Sequence, residues 1–411
     1  MAVQYGTKPF QEALEFFRGK LNLPTATWTD LWEGMHARAF VVAGAMRDDL
    51  LTDLRQAVDK AIARGTTLAE FRKDFDAIVG RHGWGYNGGR NWRTRVIYET
   101  NLRTAYQAGR YRQMKAIAHR RPFWQYVHSP FVQDPRPEHL AWNGLILRHD
   151  DPWWDTHYPP NGWGCRCSVR TLAGRDLEKL GRTGTDQAPP IEWEERVVGI
   201  RGPNPRAVKV PRGIDPGWGY NVGKAAWGEE PARRLVTEWD DGKNWEIITP
   251  GDWQSSGRPE RLAAVPLPVP LGKRAASTEE AVRMIRGIIG GEVADYELDL
   301  GGFRYPVRIH ARVLGEHIPL DRTPFLPVIP HLIAEPQEAW LTFQRHRKSG
   351  RIALRLRVIR VFKDRKGKGY LLVLDVQKGR LLGWSFMPYE LRKLRKIRQG
   401  ELLYAADEGN P

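Results

Sequence analysis

Cys165 and Cys167 are the only cysteines in the 411-residue chain and stand one residue apart. Thiolate is a preferred donor to zinc, so with His157 and His139 the pair composes a set that could close a tetrahedral zinc site. A single intervening residue is tighter than the two or more of a usual zinc knuckle. A buried, hydrogen-bonded turn is therefore the competing reading. The same spacing makes a mutual disulfide geometrically awkward, and so sparse a use of cysteine points to a reducing, cytoplasmic origin.

The second group able to do chemistry is cationic. Arg345, Arg347, Lys348, Arg351, Arg355, Arg357, Arg360, Lys363, Arg365, Lys366 and Lys368 crowd into 24 residues, and Arg392, Lys393, Arg395 and Lys396 follow. Solvated strand and helix faces account for part of such a run. With 64 basic against 48 acidic residues and a net charge of +16 over the chain, the cluster reads as a phosphate-binding surface for RNA or DNA. The aromatic set Trp142, Trp153, Trp154, His157, Tyr158 and Trp163 is a formal candidate for stacking bases. Asp150, Asp151 and Asp155 beside it would repel phosphate, which favours protein packing.

Elements must position these groups. Apolar residues at helical spacing from Trp32 to Ala63, ended by Gly65, predict a first helix. The capping box Thr67-Leu68-Ala69-Glu70 opens a second, with Leu68, Phe71, Phe75 and Ile78 on one stripe. A third is expected over about Arg93–Ala118, where Ile97, Asn101, Ala105 and Ala108 share a face and Glu99 precedes Arg103 by four residues. Past Pro122 the segments turn short and rich in Pro and Gly. Residues 185–274 sustain neither period, yet carry Trp193, Trp218, Trp227, Trp239, Trp245 and Trp253. They read as an irregular arm ended by the stiff Val265-Pro266-Leu267-Pro268-Val269-Pro270.

Beyond that spacer, Ser277-Thr278-Glu279-Glu280 caps a helix that Gly290-Gly291 stops. Val307, Ile309 and Val313 alternate with basic residues as a strand would. Ile352–Phe362, Tyr370–Val376 and Leu381–Met387 read as three strands joined by hairpin turns. The fold expected is α+β: a helical first domain over 1–184, the arm over 185–274, and a small domain with an antiparallel sheet over 275–411. The first twenty residues hold no signal-peptide core, and no stretch reaches the ~18 apolar residues of a membrane span.

Several stretches carry a resemblance. They are His36–Gly44, Leu50–Leu54 continuing through Gly65–Arg72, Val96–Tyr106, Asp155–Cys167 and Asp215–Asn221, together about the first half of the chain. In this order they resemble the Mu F-type minor head proteins of tailed bacteriophages. The resemblance implies a low-copy structural role in head assembly, with portal and major capsid proteins as partners. It implies a place in the virion, inside the capsid near the portal and the packaged DNA, after a stay in the host cytoplasm. No membrane partner is expected.

The last domain is similar to the barnase, EndoU, colicin and RelE-like nucleases appended to such proteins, on its helix-then-sheet order, the Leu314-Gly315-Glu316-His317 segment and its basic strands. Cleavage of RNA without a metal needs a base, an acid and cations over the developing phosphorane charge. His317 is the candidate acid or base, Arg355, Arg357 and Lys363 the cations, and Ser385 a phosphate donor. A nuclease fold kept only for binding host RNA or packaged DNA is the alternative. So is a delivered ribonuclease toxin whose first half serves only for packaging. A free DNA-binding regulator fits less well, because no helix-turn-helix or zinc-finger pattern occurs.

Overall fold

Thr67 opens its helix as its spacing predicts: its hydroxyl accepts from the Glu70 backbone, and the Glu70 carboxylate accepts from the Thr67 N–H. In the computed structural model, which describes residues 10–200, 202, 205–227, 244–301, 304–347, 350, 352–377 and 380–406, the first unit begins with four helices. They are α1 (Gln11–Arg18), α2 (Asp48–Arg64), α3 (Leu68–His82) and α4 (Arg90–Ala116). Gly65, at φ 67°, ends α2 in the left-handed conformation that glycine adopts without a Cβ penalty. Helix α4 buries a mixed face, with Thr94, Thr104 and Gln107 beside Ile97, Ala105 and Ala108.

The chain then builds a three-stranded antiparallel sheet, with β1 (Phe123–Val127) between β2 (Ile146–Arg148) and β3 (Ser168–Leu172). One turn of helix, α5 (Pro137–Ala141), lies between β1 and β2 in sequence. A hairpin of β4 (Trp193–Val198) and β5 (Arg206–Pro211) follows. Trp142, Trp153, Trp154 and Tyr158 are all buried in the core of this unit, which decides the aromatic set in favour of packing.

Lys20 is buried at 5% exposure, its ammonium over the Phe16 ring. Burial first, then the charge of Arg55, pushes its pKa down to about 7. His36, half-buried, is pushed down to about 4, by desolvation first and then by the charge of Lys20. The sign follows from proton counting. Between about pH 7 and 10 the unfolded chain holds a proton on Lys20 that the folded chain has lost, so stability rises with pH across that window. Below pH 7 the burial penalty is fully present. Lys20→Met should stabilise the unit at pH 7 and flatten the rise, as urea midpoints at pH 7 and pH 10 would register; an unaltered pH slope would contradict the assignment.

The second unit begins at Gly228. Its described residues form a nine-stranded sheet from β6 (Trp245–Ile247), β7 (Val265–Pro266), β8 (Val293–Asp299), β9 (Arg304–His310), β10 (Glu338–His346), β11 (Ile352–Lys363), β12 (Gly369–Gln377), β13 (Arg380–Pro388) and β14 (Glu401–Ala405). The main order is β8-β9-β13-β12-β11-β10-β14. All neighbours on this path are antiparallel except β9 and β13. Helices α6 (Thr278–Ile289), α7 (Ala311–His317) and α8 (Ile329–Ala334) share an apolar core with one face of the sheet, while Leu394 of α9 (Leu391–Ile397) joins the cluster on the other.

The α+β class and the three successive strands stand. The chain splits into two compact units, 1–227 and 228–411. Residues 185–227 are built into the first unit, where Trp218, Tyr220 and Val222 enter the core. Residues 245–266 enter the second sheet: β6 pairs with β10, and β7, in the supposed spacer, pairs with β11. Val313 belongs to α7 and not to a strand, since the backbone turns helical at Ala311. Trp239 lies outside the described residues.

Candidate metal centre and nucleic-acid face

Three elements bring His139, Cys165 and Cys167 together. His139 sits on α5, whose first residue, Pro137, suits a helix start. The thiols lie on the loop that leads into β3. His139 is 2% exposed and each cysteine 4%; both thiols are free, and the three donor atoms lie within 4.8 Å of one another. The His139 Nδ1 stands 3.8 Å from the Cys165 Sγ and 3.5 Å from the Cys167 Sγ. Its Nε2 is 2.9 Å from the Gly213 carbonyl. A carbonyl can only accept, so Nε2 carries the proton and Nδ1 offers its lone pair toward the sulfurs.

A hydrogen bond from Cys167 is the largest influence holding the Cys165 thiol well below its ordinary pKa, and the adjacent Cys165 sulfur and burial push Cys167 up. Backbone amides of Asn161 and Ser129 donate to the Cys165 and Cys167 sulfurs respectively. Such a group can hold a metal ion.

His157, expected beside the cysteines, falls outside the group. Its ring stacks on Trp153 at 4.2 Å, with Nδ1 2.7 Å from the Thr156 hydroxyl. His128, which the sequence reading passed over, lies just past the end of β1 with its Nδ1 3.5 Å from the Cys167 Sγ.

The loop is held by groups far apart in sequence. Glu99, Arg103 and Gln107 recur every four residues on α4. Arg103 Nη1 donates to the Gly164 and Cys165 carbonyls at 2.7 and 2.8 Å, and Gln107 donates to the Cys167 carbonyl at 3.2 Å. Glu99 pairs with Arg103 and reaches Arg166 at 3.6 Å. From the other side, the Asp215 carboxylate accepts from the Trp163 amide at 2.8 Å and from Arg136. Asn221 donates to the Trp154 carbonyl at 3.0 Å, and Lys224 binds Asp155. The i, i+4, i+8 polar stripe on α4 was the sequence signal for Arg103 and Gln107; nothing local marks Asp215.

The profile of the phage Mu protein F-like family matches residues 52–170, which include α4, the sheet and the Cys165–Cys167 loop. A Mu-like prophage protein of Haemophilus influenzae, the FluMu F protein, is 36% identical over 305 residues, covering 68% of this chain and 72% of that one. The chain belongs to the Mu protein F-like family. A second relative, the putative capsid assembly protein F of Escherichia phage Mu, is 35% identical over 273 residues, 58% of this chain. The chain spans 60% of that relative's length. No solved structure matches.

This Mu protein F-like chain also carries, at residues 304–405, a match to the profile of a phage barnase, EndoU, colicin E5/D and RelE-like nuclease domain. The residues singled out there are dispersed. His317 is exposed on α7, with Nδ1 2.8 Å from the Val313 carbonyl, and α7 packs on the sheet face that includes Leu356 and Val358. Arg355 and Arg357 alternate with those residues and so face the other side, with Ile359 and Val361. The sheet separates them from His317. Arg355 is 4% exposed with its guanidinium over Trp245, and Arg357 donates to the Ile397 carbonyl at 3.2 Å. Arg360 is bound to Glu335.

Lys363, Arg365, Lys366 and Lys368 are exposed around the turn between β11 and β12, where the Asp364 carboxylate accepts from the Lys366 and Lys368 amides at 2.9 Å each. Arg347 is exposed and Arg345 half-buried. Lys348 and Arg351 lie outside the described residues, as does the side chain of Ser385, whose backbone pairs with Val373.

Proposed function

We propose that the chain is a capsid assembly protein of a Mu-like phage, working inside the head near the portal and the packaged DNA, with portal and major capsid proteins as partners. One observation carries the reading: three of the family-like stretches, Val96–Tyr106, Asp155–Cys167 and Asp215–Asn221, are brought together in the first unit on one bonded cluster around the Cys165–Cys167 loop. The relatives' names point the same way. In this reading the Cys165–Cys167 group holds zinc and is structural. A product truncated after Trp227 should be incorporated into phage heads. Its absence from otherwise normal heads, by peptide mass spectrometry of purified virions, would refute the assignment of assembly to the first unit.

The nuclease-like profile favours a second role for the same chain, contact with RNA through the exposed β11–β12 turn, either as a binding surface or as a ribonuclease cargo. Each phosphate contact adds about one unit to the salt slope of binding. Replacing Arg365, Lys366 and Lys368 by Ala in the full chain should therefore lower that slope by about three, whereas His317→Ala should leave it unchanged. Cleavage that disappears with His317→Ala while binding persists would identify a catalytic histidine. An unaltered salt slope in the triple variant would remove the turn from the interface.

A further inference from the structure

We infer that His128 is the fourth ligand of a closed Cys2His2 zinc site formed with His139, Cys165 and Cys167; this rests on the zinc reading above and adds the residue that completes the site. Bond lengths of about 2.3 Å for Zn–S and 2.0–2.1 Å for Zn–N, at tetrahedral angles, separate a sulfur and a nitrogen ligand by about 3.6 Å. Three of the four S···N separations among these residues are 3.8, 3.5 and 3.5 Å, the last being that of His128 to Cys167.

The surroundings are those of a metal ligand set. His139 has its far nitrogen protonated and bonded to the Gly213 carbonyl, which orients the near one as a donor. Amides of Asn161 and Ser129 point at the two sulfurs. The backbone N–H of His128 is itself held, donating to the Asn143 side chain at 2.9 Å, so its ring hangs from a fixed point at the end of β1. At present His128 meets the group along one edge, against Cys167. Closing the fourth corner would require its side chain to turn about that anchor. With four protein ligands and no open position, the ion would tie the end of β1 to α5 and to the loop entering β3, and would hold no substrate. The one-residue spacing of the thiols is then accommodated because the other two ligands come from separate elements.

The test uses the full chain purified from zinc-supplemented cells, with zinc per chain by elemental analysis and affinity by competition against a chromophoric chelator. The wild type should carry about one zinc. His128→Ala should lose at least the 10–100-fold in affinity that follows from losing even an outer partner of a ligand. His128→Cys, which restores a donor, should retain the ion and add thiolate charge-transfer intensity in the cobalt-substituted protein. A His128→Ala protein with wild-type affinity and an unchanged cobalt spectrum would overturn His128 as ligand and leave the three-residue site standing. A folded wild type that takes up neither zinc nor cobalt would overturn both.

Discussion

Glu338→Ala should unfold the second unit or cost it about 3–5 kcal/mol, the range for breaking a buried ion pair on one side. Glu338 and Arg398 are both 0% exposed, joined by two parallel hydrogen bonds of 2.6 and 2.7 Å. The same carboxylate accepts from Arg258 at 3.0 Å and from the Trp340 indole at 2.8 Å. Removing it leaves a guanidinium sealed from water with no anion. Domains are stable by only about 5–15 kcal/mol, so the loss is a large share of the total. Amide exchange in residues 338–346 and urea denaturation would register it, and a change below about 1 kcal/mol would sink the idea. Replacing Glu338 and Arg398 together by Met should recover part of the loss, because the fully buried guanidinium is then gone and only Arg258, 19% exposed, is left without its carboxylate.

In the first unit the largest effect is expected from adding a single carbon. A Cβ on Gly223 would stand 2.0 Å from the Tyr111 ring carbon Cγ and 2.3 Å from its Cβ. Tyr111 is fully buried, edge-on to Trp124 and Tyr158, and has no room to retreat. Gly223→Ala should cost about 3 kcal/mol or more, at the upper end of overpacking. Gly65→Ala is the comparison. It also alters a glycine, but no atom lies within 4 Å of the added carbon, and only the left-handed φ is strained, a cost of roughly 1–2 kcal/mol. Equal melting temperatures for the two variants would contradict the steric account.

The helices were legible because their signals are local. Thr67 and Glu70 lie within one turn, and the apolar stripe of α3 repeats at 3.6 residues. Strand β10 was not legible, because the polar Glu338, Thr342 and Gln344 break the apolar run. All are buried, and Glu338 is tolerated only because Arg398 arrives from 60 residues away. The basic cluster misled for the same reason: the sequence places Arg355 and Arg357 in a cationic run, whereas burial over Trp245 and a carbonyl at a helix end consume them.

At the candidate metal centre donor chemistry alone picks out the two thiols and His139. The second imidazole was assigned to His157, the histidine nearest the thiols in sequence. Proximity along the chain is a poor guide where a loop doubles back. His128, 37 residues before Cys165, reaches Cys167 because β1 and β3 are hydrogen-bonded neighbours, from Phe123 with Leu172 to Val127 with Ser168.

The weaving of β6 and β7 into the second sheet fixes where this protein can be cut and pasted. A recombination junction at residue 275, where the text of the sequence changes character, would strip the transplanted cassette of two strands and of Arg258, one of the two arginines on the buried Glu338 carboxylate. A junction just after Trp227 transfers the whole sheet with its charges matched. Exchange of such a nuclease-like passenger between phage head proteins is therefore expected to preserve the 47 residues ahead of it as part of the cargo.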